Sequence, residues 1–371
     1  MALKRIRLGN YIEPLKEKCG IANLDPYEVS GVNRDKEFFE PSKQIGEDTS
    51  NYQNVPPRYF ACNLMHVGRD KVLPIAYNHT IKVKHVSPAY SVFRIKENKD
   101  ISELYFFIYL KSDERDRFFW FNTDASIRDG MTWDDLCNVE LDVPDLPTQE
   151  KFVKVYLLML ENQKNYERGL DDLKLVCDGY IEDLRKKYPA ESISNCLTER
   201  TETNKNGEIS FMKGVGLLGF IEPNQERTEE SLKKCNIFYK NDFVYAPSSF
   251  KNGVISYNDK FEKAICTEEY IVFYINDFNK LNPYYLLMWL KRKQLGRYID
   301  FSSCDSVRNR FYFKDLYIVE IPVPEKETQN KIANVYKSYL DRKELVDRLK
   351  NLIKDICPIL IKGSIEEAKE G

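Results

Sequence analysis

One stretch of this sequence occurs twice, with the second copy 180 residues after the first: Tyr90 matches Tyr270, and Lys151 matches Lys331. Because a long internal repeat reuses one structural unit, we expect a pseudo-symmetric molecule with two equivalent surfaces. The densest block pairs each of the following residues with the residue 180 positions later: Ser126, Arg128, Asp135, Leu136, Val139, Glu140, Val143, Pro144, Thr148, Gln149 and Lys151.

Length and composition predict a protein of two or three globular domains, since 371 residues can form more than one core. The nine cysteines are scattered without Cys-x-x-Cys spacing, and there are only three histidines. We therefore predict free thiols and no metal site. No apolar run approaches the ~20 residues that span a bilayer, and no signal-peptide segment follows the first residues. We expect a cytoplasmic protein that does not contact a membrane.

The net charge of −2 does not by itself favour nucleic-acid binding. Neither half of the repeat has an excess of basic residues. Any affinity for DNA must therefore come from local patches or from partner subunits.

Each repeated block is followed by a long helical pattern with apolar residues at alternating spacings of three and four. Thr148 and Thr328 are candidate N-caps, Pro189 marks the end of the first helix, and Pro358 should break or kink the second. Because each helix has one apolar stripe, we expect the two stripes to bury each other; the alternative is that each helix packs on its own globule. The predicted spacer seam contains Phe152, Val155, Met159, Asn162, Ile332, Val335, Tyr339 and Arg342.

The remaining segments alternate between short strands rich in β-branched and aromatic residues and short helices. The predicted fold is α+β: two pseudo-symmetric mixed α/β domains, separated by two long helices packed as an antiparallel coiled coil. The predicted borders give a first domain over 1–147, a spacer helix over 148–190, a second domain over 191–327, and a second spacer helix over 328–371.

The sequence lacks the phosphate loop, the dinucleotide-binding glycine motif and the usual hydrolase motifs. The segment Asn282-Pro283-Tyr284-Tyr285 is similar to the loop with which amino-methyltransferases hold a flipped adenine. Its counterpart in the first copy, Ser102 to Tyr105, lacks these residues. Asn and Pro are also common helix-start residues, so we predict that Asn282 is an N-cap and that the chain has no catalytic residues.

Polar residues in equivalent loops are the candidates for reading DNA bases, because arginine can bind guanine and asparagine can bind adenine through two hydrogen bonds. For the two equivalent arginines, internal pairing with Asp134 or Asp305 is an alternative. The DNA-binding candidates are Asn63, His66, Arg69, Arg128, Ser249, Lys251, Asn252, Arg308 and Arg310.

Several of these segments resemble the specificity (S) subunits of Type I restriction-modification systems. The resemblance rests on Ile321-Pro322-Val323-Pro324, on Glu327-Thr328-Gln329 at the start of the long helix, and on the phrase from Arg128 to Leu136. The first copy departs slightly from the pattern, with Asp142-Val143-Pro144-Asp145 before Thr148-Gln149.

The resemblance implies two target-recognition domains, each reading one half of a bipartite site in double-stranded DNA. It also implies that the spacer helices set the distance between the halves and dock two methyltransferase (M) subunits, with restriction (R) subunits in the same system. S-adenosylmethionine, ATP and Mg²⁺ would then bind to partner subunits, and this chain would bind no cofactor. A helix over Thr328–Ile356 would span roughly 43 Å, or about one turn of DNA.

Two other functions are consistent with these patterns. A symmetric protein–protein adaptor would also use two equivalent globules, and a stand-alone adenine methyltransferase would use Asn282. The prediction favoured by the resemblance is a non-catalytic DNA-recognition subunit.

Overall fold

The computed structural model describes residues 3–42, 45–97, 100–123, 130–223, 227–302 and 310–370, which form two compact units. The first unit contains residues 1–163 and 349–371, and the second contains residues 164–348. Each compact unit therefore combines one globule with one half of each long helix. The predicted borders follow changes in secondary structure, whereas the compact units divide both helices.

Short antiparallel strands form the sheets of the first unit. The main sheet has four strands in the order β2-β9-β6-β7, and the other strands pair as β1-β10, β3-β4 and β5-β8. The strands are β1 Lys4–Arg7, β2 Ile12–Leu15, β3 Gly31–Val32, β4 Phe38–Phe39, β5 Gln53–Val55, β6 Phe60–Cys62, β7 Ile75–Tyr77, β8 Lys84–Val86, β9 Ser91–Ile95 and β10 Glu140–Val143.

The second unit repeats this topology strand for strand. Its main sheet has the order β12-β19-β16-β17, and the pairs β11-β20, β13-β14 and β15-β18 complete it. The strands are β11 Ala190–Ser192, β12 Leu197–Arg200, β13 Gly214–Val215, β14 Phe220–Ile221, β15 Asn236–Tyr239, β16 Asp242–Tyr245, β17 Ile255–Tyr257, β18 Lys263–Cys266, β19 Ile271–Ile275 and β20 Glu320–Pro322.

The two main sheets also share their cross-strand register. Phe60 lies opposite Phe93, and their rings stack with centroids 5.2 Å apart. Phe243 lies opposite Phe273 in the same manner, with centroids 4.9 Å apart. Such pairs of aromatic residues on one face stabilise a sheet and help fix its register. The repeat in the sequence is therefore a repeat of the core.

Helices cover the sheets of both units, which confirms the predicted α+β class. The most buried are α2 and α7, whose last six residues are inaccessible in each copy. The helices are α1 Val67–Asp70, α2 Glu103–Leu110, α3 Asp113–Phe121, α4 Trp133–Asn138, α5 Leu146–Lys187, α6 Glu229–Leu232, α7 Pro283–Leu290, α8 Lys293–Ser302 and α9 Lys326–Glu370.

The long helices α5 and α9 begin slightly earlier than predicted. Thr148 and Thr328 lie inside the helices, so the prediction that they are N-caps is wrong. In α5 the carboxylate of Asp145 accepts the Thr148 amide at 3.2 Å, which satisfies a first-turn donor. Of the two predicted effects of Pro358, a break or a kink, the break is not seen, because α9 continues through it to Glu370. The end of the first helix at Lys187 agrees with the position of Pro189.

Within each unit the two helix halves run antiparallel. In the first unit, Lys151 near the start of α5 pairs with Glu367 near the end of α9 at 2.5 Å. In the second unit, the Arg342 guanidinium of α9 donates to the backbone carbonyls of Tyr166 and Asn165 at 2.9 and 3.1 Å. A side chain at Gly169 would collide with this guanidinium. Arg342, the polar residue in the predicted seam of α9, thus joins α9 to the backbone of α5.

The predicted seam differs from the structure in the phase of the buried face of both long helices. Val155 is 42% exposed and Asn162 is also exposed, while Phe152 and Met159 are half-buried. The buried face of α5 lies one residue later in phase, at Val153, Tyr156, Cys177, Ile181 and Leu184. In α9, Ile332 is buried, and Val335, Tyr339 and Arg342 are half-buried. The same later phase is buried in α9, at Ala333 and Tyr336, because the buried faces of both helices pack on a globule as well as on the other helix.

Equivalent buried glutamines join each long helix to its globule. The Gln149 side chain accepts from the Ser102 amide at 2.8 Å, and donates to the carbonyls of Asp100 and Pro144 at 2.6 and 2.8 Å. Gln329 makes the same three bonds, to Asn282, Lys280 and Pro324, at 2.9, 3.0 and 2.8 Å. The glutamine of the repeated Thr-Gln pair thus fixes the start of the helix against the end of a strand.

Replacing Gln149 by leucine should lower the free energy of unfolding by roughly 2–4 kcal/mol, because it leaves one buried donor and two buried acceptors without a partner. Urea unfolding of the full chain measures the change. Gln329→Leu should have a similar effect, whereas Gln294→Leu, at an exposed position, should change little. Equal stability of all three variants would show that the bonds to the glutamines do not hold the helices.

Candidate nucleic-acid interface

A polar loop follows equivalent strands of the two main sheets. In the first unit, β6 leads into residues 63–70, and in the second, β16 leads into residues 246–253. In each unit, a segment later in the chain forms an equivalent backbone hydrogen bond to this loop. The Met131 amide donates to the Leu64 carbonyl at 3.0 Å, and the Phe311 amide donates to the Pro247 carbonyl at 3.0 Å. In each unit a segment distant in sequence therefore packs on the loop, and in the second unit this segment places the candidate Arg310 near the loop candidates.

The first loop presents a smaller polar surface than predicted. Asn63 is only 3% exposed, so its side chain does not reach the surface in this conformation, and the prediction that it reads a base is not supported by its position. His66 is half-buried, and burial, with the nearby Arg69 charge, lowers its pKa. A neutral imidazole can then accept from the Arg69 guanidinium, whose nitrogen lies 3.1 Å from Nδ1.

Arg69 is exposed but not free of internal partners. It makes two bonds to the Asp70 carboxylate, at 2.9 and 3.0 Å. Arg34, from the loop between β3 and β4, lies 3.5 Å from the same carboxylate. These bonds hold the pKa of Asp70 below its usual value, first through its hydrogen bond with Arg69. Asp70 thus orients exposed guanidinium groups beside His66.

The second loop presents a different set of side chains. The Lys251 ammonium pairs with Asp300 of α8 at 2.7 Å, Asn252 is exposed, and Ser249 is half-exposed. Arg310 is exposed and directly precedes Phe311, which places it beside this loop. The other two candidates, Arg128 and Arg308, lie outside the described residues.

Sequence reasoning missed Arg34, Asp70 and Asp300. Asp70 and Asp300 pair with the predicted residues Arg69 and Lys251, and Arg34 lies beside Asp70. Arg34 and Asp300 are far from the loops in sequence, and only the folded chain shows their proximity. Asp70 directly follows Arg69, so an adjacent acid–base pair was a signal that the arginine has an internal partner.

The methyltransferase-like segment is a helix start, as predicted. The Asn282 side chain accepts from the amides of Tyr284 and Tyr285 at 2.9 and 3.1 Å, with Pro283 at the first helical position. Its amide nitrogen donates to the Asn330 side chain at 2.8 Å. Both ends of the Asn282 side chain are therefore engaged within the fold.

Other types of site are not found among the described residues. Within those ranges no group of His, Cys, Asp and Glu side chains is arranged to hold a metal ion. The part of the chain that the structure describes also contains no helix with the length and apolar character needed to cross a membrane. The eight cysteines in the described ranges have free thiols, as predicted.

A half-buried lysine lies next to the second loop. Lys291 follows α7, its ammonium donates to the Leu217 carbonyl at 2.8 Å, and its backbone approaches Gly253. Burial lowers the pKa of Lys291 to about 8. The equivalent Lys111 also has a pKa lowered by burial. The two repeats thus share a half-buried lysine directly after α2 and α7.

The pKa of Lys291 predicts a pH-dependent stability. Between about pH 8 and about 10.4 the unfolded lysine binds more protons than the folded one, so the free energy of unfolding should rise with pH in this window. Relative to Lys291→Met, the wild-type chain should gain about 2 kcal/mol between pH 7 and pH 9.5. Urea unfolding at both pH values measures this gain. The control is Lys293→Met, at an exposed position. If the free energy of unfolding of the wild-type chain rose by the same amount relative to this control, the pH dependence would not come from the lowered pKa of Lys291.

Comparison with known proteins adds to this geometry. Residues 190–355, which contain the second globule and part of α9, match the family model described as Type I restriction modification DNA specificity domain. Residues 190–355 are therefore similar to a Type I DNA specificity domain. This confirms the resemblance found in the sequence. No curated protein matches the chain by sequence.

Solved structures with the same fold include an S subunit. The crystal structure of the Type I restriction-modification S subunit from M. genitalium has a TM-score of 0.60 and 11% identity, and covers 98% of this chain and 96% of that one. The HsdS subunit from Thermoanaerobacter tengcongensis has a TM-score of 0.35 and 14% identity, with coverage of 98% and 96%. The first match shows that this chain shares the fold of that S subunit over nearly all of its length.

Proposed function

We propose that this chain is the DNA-recognition subunit of a Type I restriction-modification complex. The observation that carries the proposal is a duplicated scaffold with different loops. The two units share topology, register and the buried glutamine bonds, whereas the loop after β6 presents His66 and Arg69 and the loop after β16 presents Lys251 and Asn252. Two different reading surfaces on one repeated scaffold suit a bipartite DNA site with two different halves.

Each unit would read one half-site in the major groove of double-stranded DNA. Arg69 suits guanine, and Asn252 suits adenine, because their side chains can make two hydrogen bonds to the base edge. The exposed ion pairs of Arg69 with Asp70 and of Lys251 with Asp300 are weak in water, so DNA could replace them at little cost. Arg34 and Arg310 are additional candidates for contacts with bases or phosphates.

The long helices would set the spacing of the half-sites and dock two methyltransferase subunits, in a system that also includes restriction subunits. In this assignment the chain is not catalytic and binds no cofactor; S-adenosylmethionine, ATP and Mg²⁺ would bind to the partner subunits. Asn282 supports this division, because its side chain caps α7 and bonds to Asn330. Such a complex would act on DNA and would therefore be located in the compartment that contains DNA, in keeping with the predicted cytoplasmic location.

The near-neutral charge suggests that partners contribute to DNA affinity. Lysine and arginine side chains supply most of the salt-dependent attraction to phosphates, and this chain has a net charge of −2. The methyltransferase subunits would then provide much of the basic surface.

Co-purification tests the proposal against its rivals. A tagged chain co-expressed with the methyltransferase subunit of the same system should retain that subunit, and the complex should bind DNA much more tightly than the chain alone. Adenine methylation by the chain alone would support the stand-alone enzyme. Retention of the methyltransferase without any sequence-specific DNA binding would support the adaptor and contradict the proposal.

A further inference from the structure

The helices α3 and α8 expose the same types of residue at equivalent positions. Arg117 and Arg297 are exposed, as are the aromatic residues Phe118 and Tyr298 that follow them. One turn later, Phe121 is 86% exposed and Phe301 is 83% exposed. We call the exposed groups aromatic faces, one formed by Arg117, Phe118 and Phe121 and the other by Arg297, Tyr298 and Phe301.

Packing within each unit does not account for the aromatic faces. The helices are anchored by other residues, since Phe119 and Ile299 are almost fully buried. Neighbouring exposed positions have diverged, with Trp120 in the first copy and Asp300 in the second. Because its side chain stays in water, an exposed phenylalanine adds no hydrophobic stabilisation to the fold. A cluster of exposed apolar side chains marks an interaction surface. The similarity of the two faces therefore indicates a shared binding role.

The helices that carry the aromatic faces lie beside the long helices. In the second unit, Tyr298 lines a cleft of about 590 Å³ together with Arg185 and Tyr188, at the end of α5. Arg297 lines a second cleft of about 610 Å³ with residues of α5 and α9. In the first unit, Arg115 of α3 and Ile365 of α9 line a cleft of about 400 Å³. Within each unit, the helix that carries the face is thus continuous with the surface of a long helix.

We propose that the two aromatic faces dock the methyltransferase subunits, one subunit at each face. The inference rests on the proposed function and names surfaces outside the spacer helices. Two equivalent faces fit two copies of one partner. Arginine and aromatic residues are the types most enriched at the energetic centres of protein–protein interfaces. The helices that carry the faces also adjoin the long helices proposed to contact the same partner.

DNA is a poorer fit to the aromatic faces. Aromatic side chains bind nucleic acids chiefly by stacking on or wedging between bases, which would place the same contact in both half-sites. In the first unit, α3 also begins with the exposed acidic residues Asp113 and Glu114, which repel phosphates. Neither the repeated contact nor the acidic residues would hinder binding of a protein partner.

The variants Phe121→Ser and Phe301→Ser, alone and together, test the inference in the full chain. With the wild-type chain, native mass spectrometry should show two methyltransferase subunits. Each single variant should weaken binding at one face by roughly tenfold or more, so that one subunit dissociates first on dilution, and the double variant should weaken both. The control Ile81→Ser removes another highly exposed apolar side chain and should leave both subunits bound. Circular dichroism melting should show that all the variants fold.

The outcomes separate the inference from the proposed function. If the wild-type chain binds no methyltransferase subunit, the proposed function and the inference both fail. If the wild-type chain binds two subunits and the folded double variant binds them equally well, only the docking inference fails. Unchanged subunit binding with weakened DNA binding would assign the faces to DNA and overturn the inference.

Discussion

Exchanging residues 1–147 for the equivalent segment of another specificity subunit should change one half of the methylated DNA motif completely and leave the other half intact. In the proposed function, each globule reads its half-site through its own loops. The first globule has its own main sheet and core. The exchange keeps α9 and all of α5 except its first two residues, so the graft must supply an equivalent of Tyr105, whose hydroxyl bonds to Ser364 at 2.7 Å.

The measurement for this exchange is sequencing of adenine methylation in cells that express the chimaera with its methyltransferase subunit. The reciprocal exchange of residues 191–327 is the matched control and should change only the other half. If either exchange altered both halves, the two globules would not read DNA independently, and the modular model would be wrong.

Adding one heptad to both long helices should widen the unspecified spacer of the motif without changing either half. Because α5 and α9 each contribute to both units, both helices need the insertion, after Gln163 and after Arg348. Seven residues add about 10.5 Å of helix, which equals about three base pairs of DNA. Seven residues also keep the heptad phase, so the buried faces of both helices still match.

A five-residue insertion at the same places is the control for the helix extension. It turns the second half of each helix by roughly 140° relative to the first, which misaligns the buried faces. That variant should lose stability and methylation activity. A spacer of unchanged length in the active seven-residue variant would show that the helices do not set the distance between half-sites.

Much of the fold was predictable because its signals are local. The repeat predicted two units of one topology, and the aromatic strand at Ser91–Ile95 predicted a buried strand that reappears at Ile271–Ile275. The Asn282-Pro283 pair predicted a helix start, since the capping rule involves only neighbouring residues. The repeated Gln149 was visible in the sequence, but its bonds depend on backbone groups nearly fifty residues away.

The features that sequence reasoning missed depend on tertiary packing. The buried phase of α5 is set by a globule and by α9 together, and the heptad pattern of α9 did not reveal the shift to Val153 and Tyr156. Asn63 has the polarity of a surface residue, yet its loop folds it inward. Arg69 was predicted as a base reader, but its pairing with Asp70 and the approach of Arg34 depend on the loop conformation.

Methylome sequencing tests the central claim most directly. Cells that express this chain with its methyltransferase subunit should methylate adenines in one bipartite motif, with two different specified halves and a spacer of fixed length. Cells without this chain should lose that motif. A continuous motif, two identical halves, or methylation of the same motif in the absence of this chain would contradict the proposal that its two units read two different half-sites.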